Sequence, residues 1–236
     1  YGSLKGDLQT QTKWTDGSNS IQEMAEAAKK YGLEYIAITD HTKRNAFVGG
    51  LDDNKLLQQM KEIEKINKSL TGFKILSGTE VDILKDGKLD ISDKVLSQLD
   101  VVGASIHSNF NLSKADQTNR LIKTMENENV DILFHPTGRL LQQREPYDVD
   151  IEKIIATAKD TKTILEVNGS ARLDLKDEYV KLAVNAGVKL SIDSDAHNMN
   201  HFHFLEFGIA QARRGWAEEK DVVNTRKLTD FLKALK

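Results

Sequence analysis

The sequence predicts a single α/β domain, a closed barrel of parallel strands of the TIM type with seven strands, one short of eight. Three observations carry that expectation. Short runs rich in Val and Ile, read as buried strands, alternate with longer amphipathic stretches, read as helices. Their spacing suits parallel strands joined by right-handed crossovers. Seven such runs are too many for a small flavodoxin-like sheet and suit a ring.

The strand-like runs lie at 4–10, 35–39, 74–79, 101–106, 131–134, 163–167 and 189–192. The first is followed by a helix with explicit ends. Ser20 precedes IQEMAEAAKKYG, Glu23 stands three residues on to complete a capping box, and Gly32 closes the helix. Helices also fit DDNKLLQQMKEIEKINKSL after the second run, LSKADQTNRLIKTMENE after the fourth, VDIEKIIATAKD after the fifth and DEYVKLAVNAG after the sixth. After the third run the rhythm breaks. In VDILKDGKLDIS, Asp86-Gly87 stands between short apolar runs and reads as a β-hairpin.

Composition narrows the class. With 39% hydrophobic and 29% charged residues and a mean hydropathy of −0.47, the chain is neither disordered nor fibrous. Cysteine is absent, which excludes disulfides, iron–sulfur clusters and thiolate metal sites, and fits a cytoplasmic location. No apolar run approaches the roughly 20 residues that span a bilayer, and no signal peptide is visible, so no membrane partner is expected. The chain begins at Tyr1 rather than Met, as a processed product or an excised domain would. Only two prolines, Pro136 and Pro146, and no low-complexity stretch interrupt it, so residues 1–236 read as one domain. A net charge of −3 offers no global basic field, so a polyanion must be held locally, by arginines or metals.

The chemistry gathers at strand ends. Gln9, Gln11 and Asp16 follow the first strand, Asp40 and His41 the second, Glu80 the third, His107 the fourth, His135 the fifth, Asn168 the sixth, and Asp193, Asp195 and His197 the seventh. In a parallel barrel these ends converge on one mouth. A lone His after a strand is usually a buried, hydrogen-bonded residue. Four of the chain's six histidines in that position, accompanied by carboxylates, read as a metal cluster. Asp195 and His197 stand two apart, so both reach the same side. Glu80 is the candidate bridge between metals, because a carboxylate has two oxygens to share. Asp40 and Asp193 read as helix caps or as groups that orient an imidazole. His201 and His203, in HFHFLEFG, read as structural residues on or near a helix. Pro136 restrains the backbone of His135.

GDLQTQTKWTDG, ITDH, GTEVDI, ASIHSNF, HPTGR and DSDAH resemble the successive motifs of the PHP (polymerase and histidinol phosphatase) superfamily, from Gly6 to about Leu235. HPTGRLLQQREPYDVDIE, EVNGSARLDLKDEYV and EFGIAQARRGWAEEKDVVNT are similar to the C-terminal PHP domain of bacterial and archaeal family X DNA polymerases. The resemblance implies a distorted (β/α)7 barrel and up to three divalent metals, Mn or Zn first and Mg as an alternative. It implies Gln9, Gln11, Glu80 and Asp195 at a first metal site, Glu80, His107 and His135 at a second, and Asp16, His41 and His197 at a third. It also implies hydrolysis of phosphate esters, with Glu80, His107, His135 and Asp195 catalytic and DNA as substrate. The superfamily's first motif is usually His-x-His, whereas Gln9-Thr10-Gln11 offers neutral amide oxygens, which are weaker ligands for Zn²⁺. The first site is therefore expected to bind a metal loosely, to prefer a harder ion, or to be empty.

Arg139 and Arg172, after strands five and six, are candidate phosphate ligands; the competing reading pairs them with Asp174 or Glu145. Arg213, Arg214 and Lys220 around Trp216 read as a docked helix end rather than a DNA contact. The leading functional expectation is a metal-dependent phosphoesterase in DNA repair, with 3′–5′ exonuclease, abasic-site or 3′-phosphatase activity. The alternatives are an impaired scaffold for a covalently linked polymerase, and a small-molecule phosphatase resembling histidinol-phosphate phosphatase.

Overall fold

The computed structural model describes residues 2–44 and 48–236. All seven expected strands form, pair in parallel, and follow one another in sequence order around a nearly closed (β/α)7 barrel. They are β1 (Gly6–Thr10), β2 (Tyr35–Ile38), β3 (Lys74–Asp82), β4 (Val101–Ser105), β5 (Ile132–Leu133), β6 (Ile164–Asn168) and β7 (Leu190–Asp193). The helices are α1 (Ile21–Tyr31), α2 (Asp53–Asn67), α3 (Asp93–Leu96), α4 (Lys114–Met125), α5 (Ile151–Thr161), α6 (Asp177–Ala186), α7 (Leu205–Arg214) and α8 (Leu228–Leu232). The capping box of α1 is present on both sides, and Gly32 ends the helix at φ 103°, a conformation costly for any residue with a Cβ. The stretch after β3 forms a hairpin of one antiparallel bridge, Ile83 to Leu89, turning at Gly87 with φ 80°.

Side-chain alternation explains the two ends of the lumen. Counting by twos along one strand face gives Leu76, Gly78, Glu80 and Asp82 on β3, and Val101, Gly103 and Ser105 on β4 with His107 beyond. The same count gives Ile164, Glu166 and Asn168 on β6. Each series starts apolar and ends polar. The apolar ends join Leu8, Tyr35, Ile132 and Phe134 in a core inside the ring, separate from the larger core between strands and helices. Gly103 makes room there, because a Cβ would lie 1.9 Å from the Phe134 ring. Phe231 of α8 closes the bottom by stacking on Tyr35, centroids 5.4 Å apart.

Between β1 and β7 the ring is closed by side chains rather than by a full ladder. Asp193 Oδ1 accepts from Leu8 N at 2.8 Å, and Asp7 Oδ1 accepts from Ser194 N at 3.2 Å. Asn224 donates to Gly6 O at 2.9 Å and Ile192 O at 2.7 Å, and accepts from Ile192 N at 3.1 Å. One amide thus does part of the bridging that an eighth strand would do. Asp193, expected as a helix cap or an imidazole partner, is a seam residue instead. Its backbone-facing oxygen satisfies an N–H that the missing ladder leaves open.

Candidate metal centre

Glu80 sits at the middle of the mouth, buried, at the top of β3. Its Oε1 lies 2.7 Å from His135 Nε2 and 3.2 Å from His107 Nε2. Its Oε2 lies 3.3 Å from His41 Nδ1 and accepts from Gln11 Nε2 at 2.8 Å. The His41 ring has a second face to the cluster, with Nε2 3.7 Å from Asp16 Oδ2. The same Asp16 oxygen is 3.5 Å from His197 Nε2. Two groups therefore share His41: Asp16, His41 and His197 at the rim, and His41, Glu80 and His107 inside, each set with ligand atoms within 4.8 Å of one another. His135 joins the inner group through Glu80. The sharing is finer than the expected division, which gave His41 to the outer set alone.

Each side chain is placed by a local device. The loop bearing Asp16 is folded around the Asp40 carboxylate. That group accepts from Thr12 N (2.8 Å), Thr12 Oγ1 (2.6 Å), Thr15 Oγ1 (2.6 Å) and Gln59 Nε2 of α2 (2.7 Å). Asp40 thus holds a loop, not an imidazole. His197 Nδ1 bonds Asp195 O at 2.8 Å, and its backbone N donates to His201 Nδ1 at 3.3 Å, so His201 supports the loop as a structural residue. His135 departs from alternation, as do Gln9 and Gln11 beyond Leu8, where the register of β1 shifts. Phe134 already faces the lumen, so a continuing strand would turn His135 outward. Instead its backbone leaves the strand at φ 30°, which brings the ring to Glu80. Proline alone favours extended backbone at this position. Here Glu166 overrides it by accepting from His135 N at 2.5 Å.

The electrostatics match these contacts. Burial opposes charge on Glu80, but His41 and His107 outweigh it and hold the carboxyl well below its ordinary range. Burial, reinforced by Arg172, pushes His135 down to about 4, so its ring is neutral at pH 7. His197 goes the other way. Despite burial, Asp16 and Asp195 push it up to about 10. Burial, with Asp193 and Asp195 nearby, raises Glu166 well above the ordinary carboxyl value.

Arg172 and Arg139 behave differently from each other. Arg172 Nε faces Asp195 Oδ2 at 3.5 Å. Arg139 Nε donates to Arg172 O at 2.8 Å, and its Nη2 donates to Leu173 O, so it pins the loop that carries Arg172. Asp174, an expected ion-pair partner, is taken by Thr137 N and Oγ1 at 2.9 and 2.8 Å. At the end of α7 the expected docking holds only in part: Arg214 reaches Asp177 of α6 at 2.8 Å, while Trp216 stays 73% exposed. Asp82, Ser105 and Glu166 were missed as site residues. Asp82 Oδ1 lies 3.9 Å from His107 Nδ1 and Ser105 Oγ lies 3.4 Å from the same ring. Counting by twos from Glu80, His107 and Asn168 finds all three.

The donor set can be tested against metal ions. His41 Nδ1 and His135 Nδ1 are buried without a hydrogen-bond partner among the described residues. Imidazole nitrogens and carboxylate oxygens converge in both groups, which fit divalent ions, with the proton that Asp16 and Asp195 hold on His197 given up on binding. The corner formed by Gln9, Gln11, Glu80 and Asp195 does not fit. Gln11 presents amide hydrogens to Glu80, and Gln9 Oε1 is already taken by Asn168 Nδ2 at 2.9 Å.

The PHP domain family model matches residues 7–170. The chain belongs to the PHP domain family. This PHP chain is 46% identical, over 236 residues, to the DNA polymerase/3'-5' exonuclease PolX of Bacillus subtilis (strain 168). It covers 41% of that protein, so it spans about two-fifths of its length. It is 29% identical over 231 residues to a protein named "Probable phosphatase" from Thermoanaerobacter sp. (strain X514), covering 92% of this chain and 89% of that one. Its fold is shared with a solved histidinol phosphate phosphatase from Lactococcus lactis subsp. lactis Il1403, complexed with Zn, L-histidinol and phosphate. That superposition has a TM-score of 0.63 at 14% identity, over 91% of this chain and 95% of the other.

Proposed function

We propose that residues 1–236 form one metal-dependent phosphoesterase domain that acts on DNA, trimming 3′ ends, removing 3′-phosphates or processing abasic sites. The observation that carries this reading is Glu80, buried and ringed by His41, His107 and His135, with Asp16 and His197 at the rim. Asp16, His41 and His197 would hold one divalent ion, and Glu80, His107 and His135 another. Bound ions supply the positive charge that activates water and clamps phosphate oxygens. The imidazoles favour Zn²⁺ over Mg²⁺, and the carboxylates of Glu80 and Asp16 among them also suit Mn²⁺.

The chain's own groups complete the reading. Glu80 stays ionised and His135 stays neutral, so both offer lone pairs at pH 7. Asp195 anchors the guanidinium of Arg172, which stands ready for a phosphate oxygen in bidentate fashion. Arg139 positions Arg172 through its backbone. DNA is favoured as substrate by the likeness to the polymerase relative over the whole chain, which also supports a covalently linked polymerase domain as partner. A cytoplasmic setting fits a cysteine-free DNA enzyme. Among the described residues no helix is long and apolar enough to cross a membrane.

The test is hydrolysis of 3′-recessed, abasic and 3′-phosphate DNA with Mn²⁺, Zn²⁺ and Mg²⁺, beside histidinol phosphate and p-nitrophenyl phosphate. Chelator-sensitive cleavage of a DNA substrate is expected. Hydrolysis of the small monoesters alone would support the small-molecule reading, and inertness toward every substrate would support the scaffold.

A further inference from the structure

At the corner formed by Gln9, Gln11, Glu80 and Asp195, donors converge where a cation would need lone pairs. The Asn168 amide is oriented because its Oδ1 accepts from Ser170 N at 3.0 Å and Ser170 Oγ at 2.6 Å. Its Nδ2 must then face Gln9 Oε1 at 2.9 Å and Asp195 Oδ2 at 3.3 Å. That sets Gln9 in turn and leaves its Nε2 buried without a partner among the described residues. Gln11 turns its Nε2 to Glu80 Oε2 at 2.8 Å, because its carbonyl oxygen would repel a carboxylate. The Asp195 carboxylate faces the Arg172 guanidinium at 3.5 Å, with both side chains largely buried. Arg172 is near enough to His107 and His135 to oppose their protonation, so its charge reaches the inner ligand group. Gln11 Oε1 is likewise buried without a partner among the described residues.

We propose that this corner is a built-in cation site rather than an ion site: the Arg172 guanidinium stands where a third metal would stand beside Asp195, and the Gln11 amide replaces that metal on Glu80. The centre then takes two divalent ions, not three. A guanidinium is always charged and cannot be chelated or exchanged. It satisfies Asp195 at every metal concentration, and it repels a third ion even where ligands for one are supplied. The inference rests on the metal-dependent reading above, but its readout is an ion count, which does not need turnover.

The experiment strips the protein with chelator, re-equilibrates it with Mn²⁺ or with Zn²⁺ alone, and counts ions per chain by elemental mass spectrometry and titration calorimetry. About two ions are expected for the wild type. The Gln9→His/Gln11→His variant should bind a third ion only weakly while Arg172 remains. Adding Arg172→Gln should tighten that third site on the order of tenfold or more, the size of effect expected from removing a nearby charge in a poorly screened site. Arg172→Lys in the same background should keep the third ion weak, and circular dichroism checks that each variant is folded. Three ions in the wild type would overturn the proposal. So would a third site in the histidine variant that is equally tight with Arg, Lys or Gln at position 172, or no third site with Gln there. Fewer than two ions in the wild type would overturn the metal-dependent reading along with it.

Discussion

His135 carries more of the site than its place in the sequence suggests. Its φ of 30° lies where residues with a Cβ are uncommon, and the Glu166 carboxylate on its backbone N–H holds it there. His135→Asn should abolish metal-dependent hydrolysis while leaving the ion-free melting temperature within a few degrees of wild type. The rise in melting temperature on adding Mn²⁺ should shrink, since stabilisation by a ligand follows its affinity. An undiminished metal-induced rise would show that His135 is not a ligand. At the opposite end of the barrel, burial raises Asp131 to about 6 from an ordinary 3.8. The folded chain then keeps a proton that the unfolded chain has released across that window, so stability falls as pH rises through it. The loss amounts to at most about 3 kcal/mol. Asp131→Asn should flatten the fall, as read from chemical unfolding at pH 4 and pH 7; parallel profiles for the two proteins would contradict this origin.

Among the elements, α8 is short, yet it closes the lumen. Phe231 is fully buried against Tyr35, so Phe231→Ala should cost about 3–5 kcal/mol by removing a large side chain from a packed core. Equilibrium denaturation measures it, and a loss under 1 kcal/mol would mean that the bottom of the barrel repacks. The loop after β6 depends on Arg139, whose bonds run to the carbonyls of Arg172 and Leu173. Arg139→Gln should raise KM for a DNA substrate severalfold with ion count unchanged, because it loosens Arg172 without touching the ligand groups. A changed ion count would instead tie Arg139 to the metal groups. Elements with a local signature were legible in the sequence. Ser20, Glu23 and Gly32 marked α1 directly, and apolar runs marked every strand. α8 was not legible, because its five residues show too little periodicity and its helix rests on contact with β2, far away in the chain.

At the scale of the whole molecule, the barrel turns a list of strand-end residues into one cluster, and that step could be read in advance because parallel strands end together. What could not be read were pairings between distant segments that follow no period. Asn224 in the β1–β7 seam, Asp40 under the Asp16 loop and Arg172 on Asp195 are of this kind. The division of ligands was also only partly legible, since the sequence gives no sign that His41 turns one nitrogen to each group. The central claim is that the mouth holds two divalent ions on either side of His41. Anomalous scattering from a crystal of the wild-type protein grown with Mn²⁺ tests it most directly. The account predicts two peaks, one touching Asp16, His41 and His197 and the other touching Glu80, His107 and His135, with none between Gln11 and Asp195. A map with no peak at the mouth, or with its strongest peak at the Gln9–Gln11 corner, would contradict it.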